Sequence, residues 1–284
     1  MGYLKYTWNL FERVAPDKLY ISVLFKRRLG YRMDWKNPRS FNQKLQWMKL
    51  YDRNPAYSEL ADKVRVRDYV RERIGEQFLI PVLGIYENAE QIDFDSLPNR
   101  FVLKCNHGAK YNIICKDKNK FDINKARYQL NAWLQEEFWR KKREYHYKSI
   151  VSKIICEQYM EDSVTGGLND YKVFMIHGEP IMIQVDMDRF GNHTRNVYDA
   201  EWNLIDVEIS YPKSEAIIPK PMVFDDMVSC AKKLAADFKE VRVDFYLING
   251  RLYFGEMTFF SGAGFSRYNP REFEFELGEK LQLK

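Results

Sequence analysis

The chain is poor in the residues that most often announce catalysis. It has four histidines, His107, His146, His177 and His193, and no two stand at a spacing that pairs metal ligands. A zinc site or a Ser-His-Asp hydrolase therefore has little to rest on. The four cysteines, Cys105, Cys115, Cys156 and Cys230, show no CxxC spacing and fall mostly inside apolar runs. They read as buried free thiols in a reducing compartment. GxGxxG, GxxxxGK[ST], HExxH and GxSxG are all absent. No run approaches the roughly 18 apolar residues of a membrane span; the best, residues 19 to 25, contains Ser22 and ends at Lys26-Arg27-Arg28. Glu12 lies where a signal peptide needs its apolar stretch, and Tyr6 lies where myristoylation needs Ser or Thr, so a cytoplasmic protein is expected. Charge of one sign is also scarce. Forty-five Lys and Arg against 40 Asp and Glu leave +5, which suits an anionic ligand but does not announce nucleic acid.

What is present describes an ordered, soluble chain. Apolar residues make up 45% and aromatics 15%, too many for a disordered segment, and 284 residues suffice for a core without a metal or disulfide staple. The first third reads as helices. Pro16 and Gly30 bracket one, Ser40 and Gln43 form a capping box for a second that ends by Asn54-Pro55, and a third is expected over residues 58 to 75. That third helix would turn Lys63, Arg65, Arg67, Arg71 and Arg73 outward. From residue 78 the period changes to two. Strands are expected at 101–105, 112–116, 154–159, 171–176, 181–185, 241–247 and 252–256, with helices at about 122–142 and 225–239. His177-Gly178-Glu179-Pro180 and Asn249-Gly250 read as hairpin connections. Paired strands with interspersed helices indicate an α+β fold.

Three charged residues interrupt apolar strands. Lys104, in Phe-Val-Leu-Lys-Cys, is either a snorkelling edge lysine or a phosphate ligand. Asp244 and Glu256 lie on the two arms of one hairpin, where they would share a divalent cation or simply pair with Arg242 and Arg251. Asp186-Met187-Asp188 has the form of a DxD triplet, which opens an alternative reading as a metal-dependent glycosyltransferase acting on a sugar nucleotide. Arg189 and Arg195 could clamp a carboxylate or phosphate bidentately.

In order and spacing, these segments resemble the ATP-grasp superfamily, and within it the teichuronopeptide-biosynthesis (TupA-like) family. The resemblance runs from Ser40-Phe41-Asn42-Gln43-Lys44-Leu45-Gln46-Trp47 through Leu50-Tyr51-Asp52-Arg53-Asn54-Pro55 and Ala61-Asp62-Lys63. It continues through Phe101 to His107, Asp170 to Phe174, Val241 to Asp244 and Tyr253 to Glu256. It implies two α+β subdomains clasping ATP, here after a basic helical region over 1–75. The ATP-grasp domain would span 76–284, with a small lid subdomain at about 78–155 and a larger metal-binding subdomain at about 156–284.

By position, the resemblance implies that Lys63 and Lys104 hold the ATP phosphates. Residues 107 to 112 would form a mobile phosphate lid carrying Lys110, and residues 155 to 159, with Glu157 and Tyr159, a hinge against adenine. Asp170 would bind ribose, Lys172 and Arg189 would face the phosphates or the acyl acceptor, and Asp244 and Glu256 would hold magnesium. Thr258 stands where the family often has Asn, and the lid holds a single glycine, Gly108. The implied activity is an ATP- and Mg-dependent carboxylate–amine ligase that forms an amide through an acylphosphate in bacterial surface (capsule) polysaccharide biosynthesis. Its partners would be a small-molecule or saccharide carboxylate, held by Arg189 and Arg195, and an amine. From their charge, the N-terminal helices offer a contact to an acidic polymer or the inner face of the membrane.

Register decides whether the two carboxylates meet, because side chains alternate faces along a strand. A three-residue loop, Ile248-Asn249-Gly250, is expected to pair Leu247 with Arg251. It would put Arg242, Asp244, Tyr246, Leu252, Phe254 and Glu256 on one face.

Overall fold

A computed structural model describes residues 2–163, 168–187 and 191–283, with backbone alone for 2–7. Five helices come first: α1 (Gly2–Val14), α2 (Asp17–Leu29), α3 (Phe41–Tyr51), α4 (Ala56–Ala61) and α5 (Val66–Arg73). Gly30 ends α2 in the left-handed region at φ 81°, its N–H returning to the carbonyl of Lys26. The capping box at Ser40 and Gln43 forms in both directions.

The expected helix over 58–75 is broken in two. Asp62 interrupts it: its carboxylate accepts the N–H of Val64 at 2.8 Å and the side-chain amide of Asn106 at 2.9 Å. A short acidic side chain that bonds the backbone two residues on competes with the helical ladder and turns the chain. Lys63 therefore sits in a turn rather than on a solvated helix face.

Next come β1 (Val82–Tyr86), β2 (Phe101–Cys105), β3 (Asn112–Cys115), α6 (Ile123–Leu134) and β4 (Ile154–Gln158). They form a four-stranded antiparallel sheet in the order β1-β4-β2-β3. The helix expected to reach residue 142 stops at Leu134 and is followed by a 3₁₀ turn over Phe138–Lys142. Phe101, Leu103, Cys105 and Cys156 pack with Leu130 of α6.

The remaining elements are β5 (Asp170–Ile176), β6 (Glu179–Met187), β7 (Thr194–Tyr198), β8 (Leu204–Ile205), β9 (Glu208–Ile209), α7 (Phe224–Ala235), β10 (Glu240–Ile248), β11 (Arg251–Thr258), β12 (Tyr268–Asn269) and α8 (Glu272–Lys280). Six of the strands make a second sheet in the order β11-β10-β5-β6-β7-β8. Its apolar face, with Val173, Met175, Ile183, Val185, Val243 and Phe245, packs against α7 and shares one core with residues of α3, α4 and α5. The helices α1 and α2 keep a separate small core around Tyr20, Ile21, Leu24 and Phe25, closed by Ala263 and Phe265. All four cysteines are buried and free. No helix among the described residues is long and apolar enough to cross a membrane.

Both sequence-read hairpins use two-residue turns with positive φ at both positions: His177 and Gly178 at 51° and 79°, Asn249 and Gly250 at 51° and 76°. The expected three-residue loop does not form; Ile248 pairs with Arg251 and Leu247 with Leu252. That register alone would turn Glu256 away from Asp244. A bulge at Gly255 compensates: Phe245 pairs with Phe254, but Asp244 pairs with Glu256. The extra residue flips the strand's phase, so Leu252 and Phe254 join the core, contrary to the sequence-based assignment.

Candidate functional site

The polar face of the six-stranded sheet presents charged residues in cross-strand rows. One row runs Glu256, Asp244, Lys172 and Gln184; the next runs Tyr246, Asp170, Asp186 and Arg195. Residues opposite one another in adjacent strands have Cβ atoms about 5 Å apart, so pairing alone brings these groups into contact.

Lys172 is at the centre. It is 5% exposed, and its Nζ lies 2.9 Å from Asp244 Oδ2, 3.1 Å from Asp170 Oδ2 and 3.8 Å from Asp186 Oδ2. A buried ammonium needs such partners, because desolvating an unpaired charge costs several kcal/mol. Arg242, two residues before Asp244 and so on the same face, reaches Asp244 through Nε at 2.6 Å and Nη2 at 2.7 Å. The same Nη2 donates to Glu256 Oε1 at 3.2 Å and to Thr258 Oγ1 at 3.1 Å. The guanidinium thus bridges the two carboxylates. Although burial opposes it, Asp244 and Glu256 raise the Arg242 pKa well above its ordinary value. Burial likewise works against Glu256, yet Lys63, Arg242 and Lys172 pull its carboxyl down to about 2.

The other wall comes from the smaller sheet and the break between α4 and α5. Lys63 Nζ donates to the carbonyl of Gly108 at 2.6 Å and stands 3.9 Å from Glu256 Oε2. Burial, with Lys104 adding to it, lowers the Lys63 pKa. Lys104 Nζ meets Glu157 Oε2 at 2.6 Å, and Arg67 lies 3.7 Å from the other oxygen of that carboxylate. Lys104 is therefore neither an unpaired strand lysine nor a snorkelling one. Asn106 holds this wall together: it bonds Asp62, accepts the N–H of Lys153 at 2.7 Å and donates to the carbonyl of Val151 at 3.0 Å.

Sequence-assigned residues divide three ways. Lys63, Lys172, Asp170, Asp244 and Glu256 form one continuous network, with Lys104 and Glu157 beside it. Glu157 contributes its side chain; its backbone belongs to β4, which pairs with β1 as far as Glu157 and with β2 as far as Gln158, whose N–H bonds the carbonyl of Pro81, so most of the expected hinge has its backbone engaged in the sheet. Tyr159 itself packs under the guanidinium of Arg100 at 5.0 Å. The expected lid is held at its base: His107 bonds the carbonyl of Trp133, and the Tyr111 hydroxyl donates to Glu136 at 2.8 Å. Ala109 and Lys110 at its tip and Asn112 at its end are exposed, Lys110 with φ 68°.

Arg195 places Nε and Nη2 on Asp186 at 2.5 and 3.0 Å and Nη1 on the carbonyl of Ile209, so it reaches the network through Asp186. His193 Nε2 lies 3.4 Å from the same carboxylate. Asp186 is thus held by cations, and Asp188 and Arg189 lie outside the described residues. Sequence reasoning noticed Arg242 only as a neutralising partner and passed over Asp62 and Asn106. The two-residue strand offset from Asp244 was the available signal for Arg242; Asp62 and Asn106 act through contacts 44 residues apart.

Asp244, Glu256 and Thr258 offer only oxygen donors on adjacent positions, the chemistry a hard divalent cation takes. Among the described residues no group of three or more His, Cys, Asp or Glu gathers into a self-sufficient metal site. A cation here would therefore draw its remaining ligands from bound phosphates and water, as magnesium does in nucleotide sites.

The model of the TupA-like ATP-grasp family matches residues 43–282. No curated protein sequence matches significantly. Among solved structures, D-alanine–D-alanine ligase from Bacillus anthracis is 16% identical at a TM-score of 0.44, covering 76% of this chain and 59% of its own. The Helicobacter pylori enzyme is 13% identical at a TM-score of 0.45, covering 87% and 70%. N5-carboxyaminoimidazole synthase from Aspergillus clavatus, in complex with ADP, is 11% identical at a TM-score of 0.41, covering 70% and 44%. The chain thus spans about three fifths of the length of the Bacillus anthracis ligase.

Proposed function

The chain belongs to the TupA-like ATP-grasp family, and we propose that it is an ATP- and magnesium-dependent ligase joining a carboxylate to an amine through an acylphosphate. The observation that carries this reading is the pairing of Asp244 with Glu256, bridged by Arg242 and faced by Lys63. Magnesium bound at Asp244, Glu256 and Thr258 would offset phosphate charge. Lys63 and Lys104 neutralise the rest of the triphosphate, and Asp170 takes the ribose. The substrate carboxylate oxygen attacks the γ-phosphorus and ADP leaves; the amine nitrogen then attacks the acyl carbon, phosphate leaves and the nitrogen loses a proton. Arg242, held on Asp244, Glu256 and Thr258, would supply fixed positive charge to the negative charge that develops during transfer. Lys172 and Arg195 act as positioning residues by fixing Asp244 and Asp186, and Arg189 is kept as the candidate clamp for the carboxylate.

We assign the carboxylate to a uronic acid or amino acid of a bacterial surface polysaccharide, and the reaction to the cytoplasm, where ATP is made. Family membership and the engagement of Asp186 by Arg195 and Lys172 disfavour the glycosyltransferase reading, which needs that carboxylate for a metal. Thermal unfolding with Mg-ATP and with Mg-UDP-sugars tests the choice. Mg-ATP at about 100 times its dissociation constant should add roughly 2.7 kcal/mol. Stabilisation by a UDP-sugar but not by ATP overturns the reading. Phosphate release from ATP, screened with uronic and amino acids, then identifies the carboxylate.

A further inference from the structure

The whole of the chain's +5 charge resides in its first 36 residues, where eight Lys and Arg stand against three acids; the rest is balanced at 37 of each sign. All three acids have partners within the chain, Glu12 and Asp17 half-buried and Asp34 exposed. Asp17 holds Arg143 at 2.9 Å and the hydroxyl of Tyr145 at 3.0 Å, Glu12 accepts the Tyr20 hydroxyl at 3.3 Å, and Asp34 caps the N–H groups of Lys36 and Asn37. Arg13, Lys18, Lys26, Arg27 and Arg32 are all exposed.

These cations are interleaved with exposed aliphatic side chains. On α2, Tyr20, Ile21, Leu24 and Phe25 point inward. At 100° per residue, Leu19, Val23 and Lys26 then share the opposite face, where Leu19 is 52% and Val23 39% exposed. On α1, Leu10 and Val14 are likewise exposed, at 52% and 69%. A groove of about 520 Å³ opens beside this face, lined by Ser22, Val23, Lys26, Arg27, Arg32 and Met33. Aliphatic groups left in water beside a ring of cations match one environment, the boundary between anionic headgroups and acyl chains. An acidic polysaccharide would complement the charge but leave the aliphatic face wet.

We propose that the outer face of α2, with its basic groove, docks the protein on an anionic phospholipid surface. Leu19 and Val23 enter the acyl boundary while Lys26, Arg27 and Arg32 meet the headgroup phosphates. This surface is separate from the charged network between the two sheets, so the inference does not depend on the proposed ligase activity.

Co-sedimentation of the full chain with vesicles of phosphatidylcholine, with and without phosphatidylglycerol, tests it. The protein should partition onto the phosphatidylglycerol vesicles and not onto neutral ones. Each surface cation adds about five-fold, so Lys26→Ala with Arg27→Ala should weaken binding about 25-fold. Leu19→Ser with Val23→Ser should abolish the part of the binding that survives high salt, and unfolding midpoints of both variants should stay at the wild-type value. Equal partition onto both vesicle types, or none, would overturn the proposal. So would wild-type binding by both double variants, displacement from vesicles by millimolar inorganic phosphate, or tighter binding to soluble polygalacturonate than to vesicles.

Discussion

Asp244 and Glu256 stand directly opposite each other across the β10–β11 hairpin because Gly255 is an extra residue between them and the turn. A Cβ at Gly255 would lie 3.1 Å from the carbonyl oxygen of Asp244 and 3.2 Å from the Tyr246 ring, a spacing that only glycine occupies without displacement. The tight Asn249-Gly250 turn and the bulge are thus complementary: each alone would misplace one carboxylate, and together they put both on the polar face.

The two carboxylates should differ in what their loss does. The Asp244 side chain is 4% exposed and answers both Lys172 and Arg242, whereas that of Glu256 is 35% exposed. Asp244→Asn should therefore cost stability as well as activity, about 3 kcal/mol, because two buried cations lose their shared anion. Glu256→Gln should abolish magnesium-dependent ATP turnover at a smaller cost in stability than Asp244→Asn, because its more exposed carboxylate is better screened by water. Denaturant titrations of the two variants check this. An Asp244→Asn protein as stable as wild type would contradict it.

Arg242→Lys keeps the charge and loses the fork that spans Asp244, Glu256 and Thr258. We expect kcat to fall about 100-fold with little change in the KM for ATP, the pattern of a contact made mainly in the transition state. A variant affected only in KM would place Arg242 in ground-state nucleotide binding.

Asp62 and Asn106 should act as one unit, since both serve to aim Lys63. Asp62→Ala or Asn106→Ala should each raise the KM for ATP roughly 10-fold, equivalent to about 1.4 kcal/mol of binding. The double variant should be scarcely worse than either single one. Strict additivity in a double-mutant cycle would show that the two residues do not cooperate.

His146 sets an acid limb of stability. Burial among Tyr147, Phe259 and Phe260, with Lys49 adding to it, drives its pKa from 6.5 to about 3, and neither ring nitrogen has a partner among the described residues. The unfolded chain then binds the proton that the folded chain refuses. Stability from this group is complete above pH 6.5 and is lost as pH falls toward 3. His146→Leu should flatten that limb, narrowing the wild-type loss between pH 8 and pH 5 by about 2 kcal/mol. Urea unfolding at the two pH values measures it, and parallel curves would refute the assignment.

Local sequence determined the pieces of this protein. The Ser40–Gln43 cap, the Gly30 stop, the places of both hairpin turns and the alternating strands that carry Lys172 and Asp244 all follow from interactions within a few residues, although the two-residue length of the Asn249-Gly250 turn was not read from them. The order and spacing of those pieces were also sufficient for the ATP-grasp resemblance that the family match bears out. Tertiary structure decided what distant contacts control. The bulge at Gly255 satisfies a core that wants Leu252 and Phe254 inside and a polar face that wants Glu256 outside, a conflict invisible to strand periodicity. The break at Asp62 depends on Asn106, 44 residues away. Lys104 draws its partner Glu157 from a strand that only the sheet order makes its neighbour. Residue type and spacing supplied the charges, and the ladder register between strands distant in sequence selected which of them meet.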